Sequence, residues 1–277
     1  MVLDFYLDDL IKNALKEDIN YIDTTADLVI LEDQRGQAYF VAKASGVLCG
    51  IDAAMRVFRL LDDSFACTVH FHDGDKIAKG DVICEFSGNM RCLLKGERTA
   101  LNLIQHMSGI ATETARCVDI VKGTNAAITD TRKTLPGLRA IQKYAVTVGG
   151  GKNHRYNLSD GAMLKDNHID ACGGIAGAVS TLRSRLGHMV KIEVETRDLD
   201  EVKQALESGA DIIMLDNMDC PTMKKAVEMV GGKALLEASG GITHDTLREV
   251  AETGVDIISI GALTHSVQAF DISMRIS

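Results

Sequence analysis

A repeated pattern of short apolar strands, each followed by a helical stretch, constrains the fold of this chain more than any other feature. The ends of successive strand-like segments lie 21 to 33 residues apart, which is the length of one β/α unit. Six units predict an incomplete parallel α/β barrel, with a seventh strand if one lies around Gly149–Asn157. An open, doubly wound sheet is the alternative. The six segments are Ala126–Thr131, Ala162–Lys165, Val190–Glu195, Asp211–Asp216, Ala234–Ser239 and Asp256–Gly261.

The segment Val190–Glu195 places charge where a barrel strand is normally apolar. Lys191, Glu193 and Glu195 share one face of the predicted strand, and the apolar residues between them share the other. Charge on the inward face is costly unless it serves a site. Polar residues also end the strands, and barrel active sites are built at those ends. We interpret this pattern as evidence for an enzyme.

The residues before the barrel predict a smaller, β-rich domain. Gln37–Val47 and Thr68–Gly88 alternate with Gly-Asp turns, as hairpins do, and helical spacing begins at Glu97. We therefore predict an α/β protein with a β-rich α+β N-terminal domain (1–110) and a barrel domain (111–266). The tail from about 267 to 277 is expected to pack back on the first domain. The Gly-Asp pattern also resembles the hammerhead of biotinyl-carrier modules, but the Met-Lys-Met tip is missing.

The composition is that of a globular protein with an acidic balance. Hydrophobic residues make up 46% and charged residues 25% of the 277, and the formal net charge is −9. This charge argues against nucleic acid or a membrane surface as partner, because both require a basic field. The first residues have the pattern of an acidic amphipathic helix and not that of an export signal. No apolar run reaches the roughly 18 residues of a membrane span. The seven cysteines form no CxxC pair, which makes a zinc-ribbon or thioredoxin-type site a weak interpretation. We expect a cytoplasmic protein with reduced thiols.

Positive charge is concentrated in the segment Asp130–Asp170, which holds seven Lys or Arg residues against four Asp. Arg132, Lys133 and Lys165 stand at predicted strand ends, so we expect their charges to converge on a substrate with several carboxylates or phosphates. A solvated run of surface charge is the alternative interpretation. Lys165 could also form a Schiff base, as in class I aldolases. That role would leave the carboxylates and glycines at the later strand ends unexplained.

Carboxylates and glycines end the later strands. Glu195 and Asp216 follow consecutive strands, and such oxygen donors suit a Mg²⁺ ion that bridges to phosphate. A structural salt bridge with the nearby cations is the alternative. The segments Glu237–Ile242 and Ser259–Ser266 bring glycine-framed backbone to the last two strand ends, where barrels bind phosphate.

Several motifs span nearly the whole chain. The most specific are TRKT within Asp130–Arg139, NHR within Gly149–Asp160 and LKDNH at Leu164–His168. GERTALN, SGIAT, LDN, EASGGI and GALTHS accompany them. Together these motifs resemble the quinolinate phosphoribosyltransferase family. One departure lies at Tyr21–Thr25, where the family usually has a Gly-Asp-Thr-Thr-like turn, and it bears only on the shape of that loop.

The resemblance implies a reaction, a cofactor and an assembly. Quinolinate and phosphoribosyl pyrophosphate would give nicotinate mononucleotide, pyrophosphate and CO₂, with Mg²⁺ as cofactor. The family pairs as homodimers, which could assemble further, and Arg98 would reach the site of the neighbouring subunit. The implied catalytic residues are Lys133, Lys165, Glu195 and Asp216, the last two holding the metal. The implied substrate-binding residues are Arg98, Thr131, Arg132, Lys133, His154, Arg155, Lys165, Glu195, Asp216, Ser239, Gly240, Gly241, Gly261 and Ala262.

Three other functions remain as alternatives at this point. A nicotinate phosphoribosyltransferase would bind a monocarboxylate and release no CO₂, so it would need fewer cationic clamps. A molybdate-operon paralogue of the same fold looks diverged at the NHR and LKDNH segments, which are intact here. A non-catalytic barrel that serves as a binding subunit would not require both carboxylates and the full set of cations.

Overall fold

The computed structural model of the protein describes residues 4–277, which form two compact units. The described residues of the first unit are 4–115, Leu135–Gly150 and Ser266–Ser277. The second unit comprises Arg116–Thr134 and Gly151–His265. The first unit thus includes 135–150, which lie within the range predicted for the barrel domain (111–266), and the boundary at residue 110 stays a prediction. None of the helices in 4–277 combines the length and apolar character that a bilayer span requires.

The first unit contains six strands: β1 (Arg35–Ala42), β2 (Gly46–Val47), β3 (Ala66–Val69), β4 (Lys76–Ile77), β5 (Val82–Asn89) and β12 (Ile272–Ile276). Four of them form an antiparallel sheet in the order β12-β1-β5-β3, and β2 and β4 form a small second sheet. Strand β12 lies at the edge of the main sheet, where it pairs with β1. The helices are α1 (Asp4–Asp18), α2 (Ala26–Val29), α3 (Ile51–Leu61), α4 (Met90–Val121, whose last turns belong to the second unit) and α5 (Arg139–Val148).

Aromatic packing forms the core of the first unit. Phe40 from β1 and Phe86 from β5 meet edge to face, with ring centroids 5.1 Å apart. Phe58 from α3 stacks on Phe86 at 5.0 Å, so the helix is fixed against the sheet by rings from both elements. The approach of α4 is equally close, because a Cβ on Gly96 would lie only 2.8 Å from the Phe58 ring.

The strands of the second unit are β6 (Ala127–Thr129), β7 (Ala162–Leu164), β8 (Ile192–Thr196), β9 (Ile212–Asp216), β10 (Leu235–Ser239) and β11 (Ile257–Ser259). They form one sheet in the order β6-β11-β10-β9-β8-β7, with parallel pairing throughout. Helices connect the strands, as expected for parallel neighbours. The helices are α6 (Asp166–Ala171), α7 (Ile175–Arg185), α8 (Leu199–Glu207), α9 (Cys220–Val230), α10 (His244–Ala251) and α11 (Ala262–His265).

All six predicted barrel strands are confirmed, and each predicted strand end falls within three residues of the observed one. The segment around Gly149–Asn157 forms no named strand. It contributes a single parallel bridge between Thr129 and Lys152, because only Lys152 joins the backbone of β6. The second unit is therefore a six-stranded incomplete barrel.

Two aspartates tie neighbouring strands together at their amino ends. Asp211 precedes β9, and its Oδ2 accepts a hydrogen bond from the Ile192 N–H at 2.8 Å. Asp256 precedes β11 and accepts from the Leu236 N–H of β10 at the same distance. Although partial burial opposes ionisation, the Ile192 N–H and the Arg183 guanidinium hold the pKa of Asp211 below its usual range. These bonds satisfy backbone donors that begin each strand and so help to fix the alignment of the sheet.

The Asp211 contact predicts a stability loss on its removal. Asp211→Ala should cost about 1–3 kcal/mol at pH 7, because the Ile192 N–H loses a charged acceptor. The folded-state pKa of Asp211 is lowered, so its contribution is present above the unfolded pKa and is lost as the pH falls through the folded one. Urea unfolding at pH 7 and at acidic pH measures both effects. Asp256→Ala is the matched variant, because it removes the equivalent contact with the Leu236 N–H. An unchanged free energy of unfolding for Asp211→Ala at pH 7 would contradict the prediction.

Candidate active site

The predicted site residues of the second unit come together at the carboxyl edge of its sheet. Because parallel strands end at a common edge, residues distant in sequence become neighbours there. Thr131, Arg132 and Lys133 follow β6, and Lys165 follows β7. The later strands contribute Glu195, Asp216, Ser239, Gly240, Gly241, Gly261 and Ala262. Arg98 lies on α4 in the first unit.

A lysine and a glutamate from neighbouring strands meet at this edge. The Lys165 Nζ lies 2.7 Å from the Glu195 Oε2, which makes the salt bridge considered in the sequence analysis. The Lys165 side chain is 46% exposed, and an ion pair that is open to solvent contributes little to stability. We infer that the pair is placed for ligand contact rather than for folding.

The guanidinium group of Arg155 lies beside β7. Its Nη1 donates to the carbonyl oxygen of Gly161, which immediately precedes β7, at 3.0 Å, and its Nη2 lies 3.6 Å from the Met163 Sδ. Burial and the neighbouring charge of Arg132 lower the pKa of Arg155, although Glu193 opposes this shift. Like charges at close range repel, and an anionic ligand bound between them would relieve that repulsion.

The loop that carries Arg155 is tied to β6 by backbone contacts. The Lys152 N–H donates to the Ile128 carbonyl oxygen at 2.8 Å. The His154 N–H donates to the Oδ1 of the buried Asp130 at 2.9 Å. Two points of attachment within three residues leave the loop little freedom, so Arg155 is presented in one position.

Two buried glutamates inside the barrel were not predicted as site residues. Glu193 is 4% exposed and Glu237 1% exposed, and the His154 Nε2 lies 3.1 Å from the Glu193 Oε2 and 3.4 Å from the Glu237 Oε2. Burial itself opposes a charged imidazole, but hydrogen bonds to Glu193 and Glu237 outweigh it and raise the pKa of His154 to about 10. Burial raises the pKa of Glu193; the His154 contact opposes this and the Glu237 charge adds to it. The alternation within β8 flagged Glu193 as inward-facing, and that signal could have identified it.

The ring geometry of His154 argues against a metal in this cluster. The Nε2 atom and the two carboxylates lie within 4.8 Å of one another, as metal ligands would. However, the Arg155 N–H donates to the His154 Nδ1 at 2.7 Å, so the proton of a neutral ring sits on Nε2. In the imidazolium form Nε2 also carries a proton. Neither form offers a metal the Nε2 lone pair.

A cavity of about 240 Å³ adjoins this cluster, and its lining includes Thr129, His154, Arg155, Glu193 and Glu237. Three buried oxygen atoms of these residues accept no hydrogen bond from any described residue: the Thr129 Oγ1, the Glu193 Oε1 and the Glu237 Oε1. The cavity has room for several ordered waters that would satisfy them.

The carboxylates at the ends of β8 and β9 fit a magnesium site. Among residues 4–277, the second oxygen of each carboxylate, the Glu195 Oε1 and the Asp216 Oδ1, has no hydrogen-bond partner. Free carboxylate oxygens on neighbouring strands are the ligands that a hard cation prefers. The donor set therefore fits Mg²⁺.

Glycines shape the ends of β10 and β11. Gly240 and Gly241 have φ values of 98° and 60°, which side chains rarely tolerate. At Gly261 an added Cβ would lie 3.0 Å from the Lys133 Cδ, so a side chain there would shift that lysine by a few tenths of an ångström. The Thr264 Oγ1 donates to the Lys133 carbonyl oxygen at 2.8 Å and ties the two strand ends together.

Comparison with known proteins identifies the family. Residues 110–275 match the family model described as quinolinate phosphoribosyl transferase, C-terminal domain, and residues 23–108 match the corresponding N-terminal domain. The chain belongs to the quinolinate phosphoribosyltransferase family. A relative named probable nicotinate-nucleotide pyrophosphorylase [carboxylating] from Bacillus subtilis is 45% identical over 268 residues, covering 97% of this chain and 92% of the relative.

Solved structures of quinolinate phosphoribosyltransferase relatives share the whole fold. NadC from Streptococcus pyogenes superposes with a TM-score of 0.97 at 39% identity, over 100% of this chain and 98% of that one. Nicotinate-nucleotide pyrophosphorylase from Francisella tularensis gives a TM-score of 0.96 at 40% identity, with the same coverage. The predicted fold class and family resemblance are thereby confirmed.

The buried cluster makes stability depend on pH. Folding raises the pKa of His154 from 6.5 to about 10, so its charge stabilises the folded state fully below pH 6.5. That contribution is lost as the pH rises through about 10. His154→Gln keeps a hydrogen-bond donor without a titrating proton, and we expect it to be less stable than wild type by about 2 kcal/mol at pH 6 and by much less at pH 10.

Urea unfolding of both proteins across this pH range measures the difference. The exposed His188 gives a matched control, His188→Gln, which alters no buried contact. A stability difference for His154→Gln that stays constant from pH 6 to pH 10 would show that the charge of His154 is not the source.

Proposed function

We propose that the protein transfers the phosphoribosyl group of phosphoribosyl pyrophosphate to quinolinate with loss of CO₂, giving nicotinate mononucleotide and pyrophosphate. The observation that carries this proposal is the set of cations that follow β6 and β7, Arg132, Lys133 and Lys165, together with Arg155, whose pKa is lowered by burial and by the nearby charge of Arg132. Quinolinate is a dicarboxylate, and two guanidinium groups can each bind one carboxylate in the bidentate manner. Membership in the family supports the same reaction.

His154 has a more indirect role in this proposal than the motif implied. Its Nε2 faces two carboxylates and its Nδ1 accepts from the Arg155 N–H, so both ring nitrogens are engaged within the protein. We therefore assign His154 to holding the Arg155 loop in place.

Lys133 and Lys165 provide charge for the departing pyrophosphate. As the C1–oxygen bond of the ribose breaks, the ribose becomes oxocarbenium-like and negative charge gathers on the leaving group. Fixed ammonium groups stabilise that charge more in the transition state than in the ground state. Glu195 and Asp216 would hold Mg²⁺, which when bound neutralises charge on the pyrophosphate oxygens.

The glycine-bearing strand ends suit the 5′-phosphate of the ribose. The backbone at Ser239–Gly241 and Gly261–Ala262 has no bulky side chain to keep a phosphate away, and N–H groups at such ends bind anions.

Decarboxylation needs no separate general base. Once the ring nitrogen carries ribose it is positively charged, and it stabilises the electron pair left at C2 when the 2-carboxylate departs as CO₂. That electron pair then takes a proton, which completes nicotinate mononucleotide. The task of the protein is to orient the dicarboxylate, which Arg132 and Arg155 are placed to do.

The alternatives are less well supported. A Schiff-base lysine needs its nitrogen free to attack a carbonyl carbon, whereas the Lys165 Nζ is bound to the Glu195 carboxylate at 2.7 Å. A monocarboxylate substrate would offer one carboxylate where a dicarboxylate offers one to each guanidinium group. A non-catalytic barrel would have no use for the Lys165–Glu195 pair at an open strand edge.

A product assay tests the proposal directly. Purified protein with quinolinate, phosphoribosyl pyrophosphate and Mg²⁺ should form nicotinate mononucleotide and CO₂ in equal amounts. Chromatography measures the nucleotide, and the release of labelled CO₂ measures decarboxylation. Replacing quinolinate with nicotinate should abolish turnover, and chelation of the metal should reduce it. Turnover of nicotinate in place of quinolinate would assign the protein to nicotinate phosphoribosyltransferase instead.

We further propose that the protein is a homodimer, in the cytoplasm, in which Arg98 completes the site of the neighbouring subunit. In a symmetric dimer each subunit then contributes its Arg98 to the site of its partner, and its own site is completed by the Arg98 of the partner subunit. All seven cysteines are free thiols, which suits a reducing compartment.

Mixed dimers test the position of Arg98. Arg98→Ala and Lys133→Ala chains, coexpressed and randomly paired, should recover about a quarter of wild-type activity, because half of the dimers then hold one intact site out of two. Each variant purified alone should be nearly inactive. Mixtures no more active than the single variants, with dimers verified by light scattering, would place Arg98 and Lys133 in the same subunit's site.

A further inference from the structure

Asn217, which directly follows Asp216 at the end of β9, has an unusual backbone. Its φ is 54°, and it is the one residue other than glycine in 4–277 with a positive φ. This left-handed conformation costs an L-residue roughly 1 kcal/mol or more, although asparagine tolerates it better than most. Such strain persists only where surrounding contacts enforce it.

Three contacts hold Asn217 in this conformation. Its N–H donates to the Ser239 carbonyl oxygen at 2.9 Å, which continues the β9–β10 pairing beyond the strand ends. Its side-chain Nδ2 donates to the Asp216 Oδ2, also at 2.9 Å. Its Oδ1 lies over Gly240, where an added Cβ would be only 2.3 Å away. Asn217 thus touches the carboxylate of one strand end and the glycine turn of the next.

We propose that Asn217 is a positioning residue for the ribose and pyrophosphate part of the substrate. Its amide fixes one oxygen of Asp216 and leaves the Oδ1 directed to the ligand, a ribose hydroxyl or the Mg²⁺ that accompanies the pyrophosphate. Its contact with Gly240 also sets the distance between that carboxylate and the phosphate-binding turn. This inference rests on the proposed function, but it concerns phosphoribosyl pyrophosphate and not quinolinate.

The residue type fits this role closely. Glycine would take the left-handed backbone but offers no donor to Asp216. Aspartate has the same shape and a similar tolerance for this backbone, but it replaces the donor with a second carboxylate that repels Asp216. A longer amide would lose the favourable backbone and would collide with Gly240. Asparagine alone combines the conformation, the donor and the length.

Two variants separate the role of the amide from that of the backbone. Asn217→Gly keeps the backbone and loses the donor, and we expect kcat/KM for phosphoribosyl pyrophosphate to fall about tenfold or more, as for a lost hydrogen bond to a charged group. Asn217→Asp keeps the shape of the side chain, and its kcat/KM for phosphoribosyl pyrophosphate should fall further than that of Asn217→Gly. In both variants the KM for quinolinate should change less than twofold, and thermal midpoints should stay near wild type.

The exposed Asn125, before β6 at the opposite end of the sheet, provides the control Asn125→Gly, which should leave both KM values unchanged. Calorimetric titration of each variant with phosphoribosyl pyrophosphate and Mg²⁺ gives a second readout that is independent of turnover. Binding in Asn217→Gly should be weakened by a similar factor.

The outcomes separate the two proposals. Wild-type kinetics and binding in both Asn217→Gly and Asn217→Asp would overturn the positioning role while leaving the proposed function intact. Equal losses toward both substrates, or a large fall in thermal midpoint, would mean that Asn217 is a structural residue only. If wild-type protein neither binds phosphoribosyl pyrophosphate nor forms product, the proposed function fails. A crystal structure of Asn217→Gly then tests the positioning role without any activity measurement. An Asp216 carboxylate that has not moved would overturn that role.

Discussion

The interior of the second unit depends on one balance of charge: two carboxylates buried in a strand barrel with an imidazole between them. A buried, unpaired carboxylate is too costly to keep ionised, and two side by side are worse. His154 makes Glu193 and Glu237 tolerable, because its Nε2 lies within 3.4 Å of an oxygen on each. The same contact fixes the loop that presents Arg155. Folding and ligand recognition therefore share one cluster of side chains.

Strand periodicity explains how interior and edge are coupled. Residues two apart on a strand face the same way and are separated by roughly 7 Å. On β8, Glu193 points into the barrel, and Glu195 stands one step further along, at the edge. On β10, Glu237 and Ser239 have the same relation. Each of these strands supplies a buried anchor and, one step later, a residue that can meet a ligand.

Much of this arrangement could be predicted from the sequence. The six strands were identified because β/α units repeat at nearly regular spacing, and the strand-end residues followed from that spacing. The direction of the His154 ring could not be predicted, because it depends on carboxylates 39 and 83 residues away in sequence that only folding brings together. The left-handed backbone of Asn217 could not be predicted either, since asparagine adopts ordinary conformations far more often than the left-handed one. Periodicity gives position along an element, but ring orientations and backbone strain arise from tertiary contacts.

The pairing of β12 with β1 has a consequence for how the protein is made. On the ribosome β1 emerges more than 200 residues before its partner, so the edge of the first sheet stays open while those residues are made. An open edge strand is a template for pairing with other chains. The nascent protein is thus prone to aggregation until β12 leaves the exit tunnel, and a truncation that removes β12 would make that exposed state permanent.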